Sequence, residues 1–310
     1  MEYIAADPSA FPDVKSVLTK ELHISRRQLI ALKNREDGIL LNGERVTVRA
    51  RLKPGDVLSL ATEDGEDAAV KIEPSDTLPD IVYEDDSLIV MNKPPAMPTH
   101  PSHGHHGDTL ANCLAFYYQQ KGLPFIFRPV NRLDRDTSGI VLAAKDQLSA
   151  SRFYQMMMRH AFEKEYFAVV SGVPEPLNGV IDKPLRRSLP SIIVREVCGP
   201  GEGDPSVTEY RTVMTGNGLS VLRVFPKTGR THQIRVHLAS IGAPIVGDTL
   251  YGPPEGSALI GRQALHCRSM TFTHPVTGKK ICTEAPVLDD MLTLIEAVRN
   301  AEDAVIYEKT

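Results

Sequence analysis

The chain has 310 residues, 42% hydrophobic and 24% charged, with a formal charge of −4, which is the composition of a globular protein with a sizeable core. The N-terminus "MEYIAADPSA" is acidic and not a secretory signal, and no apolar run approaches the roughly 18 residues of a membrane span, so a soluble cytoplasmic protein is expected. The four cysteines, Cys113, Cys198, Cys267 and Cys282, form no CxxC pair, which argues against a structural zinc site and gives no disulfide framework.

The mean charge hides an asymmetry. From Ser16 to Gly55, nine bases (Lys20, Arg26, Arg27, Lys33, Arg35, Arg45, Arg49, Arg51, Lys53) face four acids. In "DVKSVLTKEL", Val14, Val17, Leu18 and Leu22 share one helical face. A second helix is predicted in "ISRRQLIALKNREDG", with Ser25 as N-cap and Leu29, Ile30 and Leu32 as its apolar positions. "ILLNGERVTV" reads as two short strands around Asn42-Gly43, and "LKPGDVLSL" adds a turn and a strand. A charge run is usually a solvated face. Placed on helix, helix and hairpin in this order, the bases Arg26, Arg27, Lys33, Arg45 and Arg49 make a compact basic surface. The segment resembles, over about residues 12–60, the small RNA-binding domain named after ribosomal small-subunit protein S-four. That resemblance implies docking on structured RNA through phosphates and shape.

The acidic, proline-containing stretch Glu63–Asp80 reads as a solvated linker. We therefore expect an RNA-binding domain at 1–66, a linker at 67–80 and a second domain at 81–310. In that body a strand at Leu88–Met91 stops at Lys93-Pro94-Pro95. A helix follows in "DTLANCLAFYYQQ", capped by Asp108, and another in "DQLSASRFYQMMMRH". "EKEYFAVVSG" and "LSVLRVF" read as strands, the turn "PKTGR" follows, and "THQIRVHLASIG" is a helix with Thr231 as N-cap. Strands and helices mix without βαβ alternation, so the expected class is α+β, with a mixed, mainly antiparallel sheet flanked by helices.

Within "RPVNRLDRDTSGIVLAAK", Asp134 precedes a Thr-Ser-Gly turn and a buried strand. A carboxylate there is expected to take hydrogen bonds from the turn and to need a cationic partner, for which Arg235 is a candidate. An arginine near the start of its helix opposes the dipole, so it calls for a specific anion. Taken singly, an aspartate placed like Asp134 is more often a turn-former than a catalyst, an arginine like Arg235 is usually a structural ion pair, and Tyr166 is more often sheet packing than a site residue. Pattern alone leaves an RNA-binding protein with a buried Asp–Arg pair. "DRDTS" resembles the DxDxT motif of haloacid-dehalogenase-type phosphatases, but "FRPVNRL" lacks the apolar strand that motif ends, and aspartic proteases need Asp-Thr-Gly. The histidines of "THPSHGHHGD" (His100, His103, His105, His106) read as a flexible loop, and no metal is expected.

Three long segments in order, "NRLDRDTSGIVLAAK", "KEYFAVVSG" and "KTGRTHQIRVHLASIGAPIVGDTLYG", resemble the signature motifs of the RluA-like pseudouridine synthases. "YEDDSLIVMNKPPAM", "ALHCRSMTFTHPVTG" and "EAPVLDDM" resemble the flanking segments, so the likeness spans about residues 80–292. The resemblance implies that Asp134 is the catalytic aspartate, that Tyr166 stacks on the target base and that Arg235 ion-pairs the aspartate. It implies further that Arg132 displaces the base from its stack and that Lys93, Lys164 and Arg230 line the RNA path. Asp136 stays a turn residue. Isomerisation oxidises, hydrolyses and transfers nothing, so no cofactor is implied; the partner is structured RNA, ribosomal RNA foremost, and a monomer is expected. One departure stands out: Asn131 occupies the place before "RLD" where most of the family has histidine. The rival class is a non-enzymatic RNA-binding or ribosome-assembly protein with a silent synthase body.

Overall fold

A computed structural model describes residues 2–22, 24, 26–61, 72–189, 191, 193–253 and 258–308, without the side chains of Arg27 and Gln28. The first helix, α1 (Val14–Ser16), starts at a reciprocal cap in which Asp13 accepts from the Ser16 amide at 2.8 Å and Ser16 Oγ accepts from the Asp13 amide. It continues as a wider-turned helix over Val17–Glu21, and Val14, Val17, Leu18 and Leu22 are all buried. In α2 (Arg26–Asn34), Leu29 and Leu32 face inward, but Ile30 is 51% exposed and is not part of the apolar face expected of it. Ser25, the expected N-cap, lies outside the described residues.

Strands β1 (Glu2–Ile4), β2 (Ile39–Leu41), β3 (Glu44–Arg45) and β4 (Val57–Leu60) form a sheet in the order β1-β4-β2-β3. Asn42 (φ 52°) and Gly43 (φ 86°) make the β2–β3 turn, both left-handed as a tight two-residue hairpin requires. These elements close their own apolar cluster, which Leu148 of the body also joins. Of the acidic stretch, residues 72–80 carry no helix or strand and 63–71 lie outside the described residues.

The body takes β5 (Ile81–Glu84), β6 (Leu88–Lys93), α3 (Leu110–Gln120), β7 (Arg128–Pro129), β8 (Ser138–Ala144), α4 (Gln147–Met158) and β9 (Glu163–Ser171) in turn. Then come β10 (Asn178–Asp182), the small hairpin β11 (Leu185–Arg187) and β12 (Arg195–Val197), β13 (Val207–Gly216), β14 (Leu219–Pro226) and α5 (Gln233–Ala239). The last elements are β15 (Leu265–Thr273), β16 (Lys280–Glu284), α6 (Asp289–Arg299) and β17 (Val305–Ile306). Among the described residues they form one eleven-stranded sheet, β10-β13-β14-β9-β15-β8-β6-β5, with β16 on β15, β17 on β13 and β7 on β8. Every pairing in it is antiparallel except β15 with β8. The expected α+β fold with a mixed, mainly antiparallel sheet is the one found.

Two expected caps move by one residue. Helix α3 is capped by Thr109, reciprocally with Asn112, because Asp108 turns away to His105. Helix α5 is preceded by His232, not Thr231, so Arg235 falls inside its first turn. The parallel pair β8–β15 brings strands so close that a Cβ on Gly139 (φ 109°) would stand 2.2 Å from the Cys267 carbonyl oxygen. Only glycine fits there, and this fixes where the turn before β8 can sit. No helix among the described residues is long and apolar enough to cross a membrane.

Candidate active site

Residues 133–138 lie at the N-terminal end of β8, in mid-sheet, and side chains from three other segments pin them. Thr99 Oγ1 donates to the Leu133 carbonyl at 2.9 Å and accepts from its amide. Lys93 Nζ donates to the Arg135 carbonyl at 2.9 Å and to those of Pro94 and Met97 at 2.7 Å each. Arg262 Nη1 reaches the Asp136 carbonyl at 3.3 Å, and Gln263 donates to Thr137 Oγ1 at 3.1 Å. Ahead of the turn, Asn131 stitches the chain to β8, donating to the Ile140 carbonyl at 3.0 Å and accepting from the Leu142 amide at 2.8 Å. Asn131 thus serves backbone geometry, its one side chain both donating and accepting.

Asp134 is left as the turn's open carboxylate. The expected side-chain-to-backbone bonds from the turn are not what holds it: the Thr137 amide donates to the Asp134 carbonyl, and the turn hydroxyls are engaged elsewhere, Ser138 Oγ with His266 and Thr137 Oγ1 with Gln263. Its partner is Arg235, whose Nη1 donates to Asp134 Oδ2 at 2.9 Å. The same guanidinium grips Asp248 with its other edge, Nε at 2.6 Å and Nη2 at 2.8 Å. Asp248 in turn accepts from the amides of Leu250 and Tyr251. Burial alone would raise Asp248, but Arg235 and those amides hold it below the usual carboxylate range. Burial likewise works against the Arg235 charge, and the two aspartates more than offset it. The Arg235 side chain is 5% exposed and that of Asp134 27%, so the ion pair has a buried end and an accessible one.

The accessible end opens on a pocket of about 550 Å³. Asp134, Tyr166, Arg235, Arg132, Lys164 and Arg230 all line it, so the structure brings together six of the residues expected from the sequence. Tyr166 projects from β9 and is nearly buried; burial pushes its hydroxyl well above the ordinary value, and contact with Cys267 adds to this. Burial pulls Lys164 down. Arg132 and Arg230 are exposed, and Arg230 leans towards Asp204 at 3.7 Å.

Lys93, expected along the RNA path, is a correction. It is 0% exposed and its three ammonium donors are all taken by carbonyls, so it holds the turn from below and does not face the pocket. Burial pulls it down to about 7, with Asp136 and Asp134 working the other way. Three residues in contact with the ion pair were missed: Asp248, His232 (Nε2 3.8 Å from Asp134 Oδ2) and Tyr251, whose ring lies 5.1 Å from the Arg235 guanidinium carbon. The signal was present, since all three fall inside "KTGRTHQIRVHLASIGAPIVGDTLYG".

Of the histidine-rich loop, His100 lines the pocket and His105 pairs with Asp108. Away from the pocket, Lys33, Arg35, Arg45 and Arg49 line a second cleft of about 450 Å³ beside β2 and β3. Arg26 is exposed on α2, and the side chain of Arg27 lies outside the described residues.

The family described as RNA pseudouridylate synthase matches residues 87–240. The chain is 38% identical over 277 residues to the uncharacterized RNA pseudouridine synthase YjbO of Bacillus subtilis (strain 168), covering 89% of this chain and 96% of that one. It is 34% identical over 307 residues to the ribosomal large subunit pseudouridine synthase D of Escherichia coli O157:H7, covering 93% and 88%. Among solved structures, human RNA pseudouridylate synthase domain containing 4 shares the fold with a TM-score of 0.56 and 22% identity, covering 71% of this chain and 93% of that one. Sequence and fold agree: the chain belongs to the RluA family of RNA pseudouridine synthases, which isomerise uridine in RNA to pseudouridine.

Proposed function

We propose that this chain isomerises specific uridines of structured RNA, ribosomal RNA foremost, with Asp134 as catalytic carboxylate and without a cofactor. The observation that carries this reading is the Asp134 carboxylate at the wall of the pocket, anchored on one oxygen by Arg235 at 2.9 Å. The reaction breaks the bond from the anomeric carbon to ring nitrogen 1, turns the uracil and joins the same carbon to ring carbon 5. Nitrogen 1 ends with a proton, carbon 5 loses one, and no atom enters or leaves overall. Asp134 serves at the sugar, as nucleophile at the anomeric carbon or as base for a sugar proton. Tyr166 offers its ring face to the base, and the pocket walls keep the detached uracil in place.

The pocket lies below the RNA surface, so the target nucleotide leaves its stack to reach it. Arg132 at the rim takes its place there, while Lys164 and Arg230 meet the backbone. Residues 1–66 act as an S-four-type RNA-binding domain joined through 67–80 to the catalytic domain 81–310, with Arg26, Arg27, Lys33 and Arg45 on RNA phosphates. The relative named for the large ribosomal subunit supports ribosomal RNA as the substrate class. The chain works as a cytoplasmic monomer.

The test is tritium release from RNA labelled at uracil carbon 5, for wild type beside Asp134→Asn, with RNA affinity measured for both. Release by wild type alone, at equal affinity, is the expected result. Equal release by both would mean that the chemistry lies with another carboxylate.

A further inference from the structure

His232 has a geometry that the helix it begins does not need. It precedes α5 directly, a position where serine, threonine or aspartate normally caps the free amides of the first turn. His232 makes no side-chain cap, and its backbone is left-handed, with φ 57° and ψ 16°. A residue with a Cβ is disfavoured there, and such strain at a cleft points to a functional constraint. The conformation turns the ring into the pocket beside Asp134. Nε2 then lies 3.8 Å from Asp134 Oδ2, and Nδ1 lies 2.9 Å from the Tyr251 hydroxyl.

The partners assign the ring's proton. The Tyr251 oxygen accepts the Arg195 backbone N–H at 2.8 Å, which leaves its own proton to donate, and Nδ1 stands ready to accept it. On the other side, Nε2 faces a carboxylate, which repels a lone pair and attracts an N–H. Both sides call for the same neutral tautomer, with the proton on Nε2. The charge balance agrees. Burial lowers the His232 pKa, Asp134 and Asp248 oppose that, and Arg235 and Arg195 reinforce it.

We propose that His232 is a positioning residue for Asp134: its Nε2–H closes on the Oδ2 that Arg235 already holds, and leaves Oδ1 directed at the sugar. The proposal rests on Asp134 being the catalytic carboxylate. The gap of 3.8 Å exceeds a hydrogen bond, and a small rotation of the carboxylate closes it once substrate fills the pocket. The chain of contacts runs outward as well. Arg195 belongs to β12, so the seating of the β11–β12 hairpin sets Tyr251, Tyr251 sets the tautomer of His232, and His232 sets the carboxylate.

The experiment measures single-turnover isomerisation at saturating RNA, together with RNA affinity and melting temperature, on the full chain. The variants are Asp134→Asn, His232→Gln, His232→Asn and Tyr251→Phe. Glutamine carries an N–H to about the reach of Nε2, whereas asparagine ends near Nδ1 and tolerates the left-handed backbone. The expected result is a rate about tenfold lower for His232→Asn, the scale of one missing hydrogen bond to a charged group. Affinity stays unchanged and His232→Gln recovers most of the rate. Tyr251→Phe, which keeps the ring on Arg235, slows the reaction severalfold and serves if His232→Asn does not fold. Equal rates for the glutamine and asparagine variants, a loss confined to affinity, or a wild-type rate for Tyr251→Phe would overturn the proposal. An active Asp134→Asn would instead remove the reading beneath it.

Discussion

Asp134 meets Arg235 at 2.9 Å, and it meets only the outer edge of a guanidinium whose inner edge Asp248 already closes at 2.6 and 2.8 Å. The arginine is therefore fixed from behind before it touches the pocket. Such a layout is preorganised: Asp248 holds the fork in place whatever the charge on Asp134.

Removing the rear partner should expose this dependence. In Asp248→Asn the Arg235 charge is buried without its anchor, and we expect a stability loss of about 3 kcal/mol. Isomerisation should slow with it. Arg235→Lys should lose about two orders of magnitude in rate, since a point charge cannot serve both aspartates as a planar fork does. Urea melts and tritium release check both. Full stability in Asp248→Asn would show that the inner pair does not anchor Arg235.

Lys93 should matter for the turn and not for RNA affinity. Lys93→Met keeps the apolar stem but leaves the carbonyls of Pro94, Met97 and Arg135 without their donor. A loss of about 3 kcal/mol is expected, with slower isomerisation because Arg135 adjoins Asp134. Weaker RNA binding at undiminished stability would restore Lys93 to the RNA path.

Acid sensitivity should trace to His266. Its Nδ1 takes the Ser138 hydroxyl at 2.9 Å, and its Nε2 meets the Ala285 carbonyl at 3.3 Å. Burial pulls it from the ordinary value to about 4. Since the folded pKa lies below the unfolded one, the unfolded chain binds the extra proton between about 6.5 and 4. Stability is thus full above pH 6.5 and falls as pH drops through that window, by about 3 kcal/mol from this group. In His266→Gln the slope of stability against pH over this window should flatten. An unchanged slope would assign the acid loss to other groups, with His237 next in line.

The cleft on the N-terminal sheet can be tested by salt. Replacing Lys33, Arg45 and Arg49 together by glutamate should weaken RNA binding and reduce the salt slope of log affinity by about one for each phosphate deprived of its cation. The rate at saturating RNA should stay at the wild-type value. An unaltered slope would leave this surface as a solvated face.

The sequence was most legible where one segment decides its own structure. Asn42-Gly43 announced its hairpin, and Val14, Val17, Leu18 and Leu22 announced a buried face. Legibility dropped where distant segments decide. Lys93 sits in a strand end rich in signal, yet its burial depends on carbonyls at residues 94, 97 and 135, which no spacing rule gathers. The α5 boundary was missed because Thr231 is the better cap by propensity, while His232 takes a left-handed backbone that faces the pocket. Asp248 was passed over as part of a loop; its role needs the return of that loop against Arg235, 13 residues earlier.

The parallel pairing of β8 with β15 also sets an order in time. The basic surface of residues 26–49 is complete once β4 is made, near residue 60. The carboxylate at 134 waits for Arg235, then for Asp248, and then for the strand at 265–273 that holds Gly139 and Ser138 in register. A chain growing from its N-terminus thus acquires the cationic face early and the assembled Asp134–Arg235–Asp248 cluster only after some 130 further residues have followed Asp134. Nascent fragments ending before residue 265 would lack the strand that holds Ser138 and Gly139 in register, and with it the seating of the turn that carries Asp134.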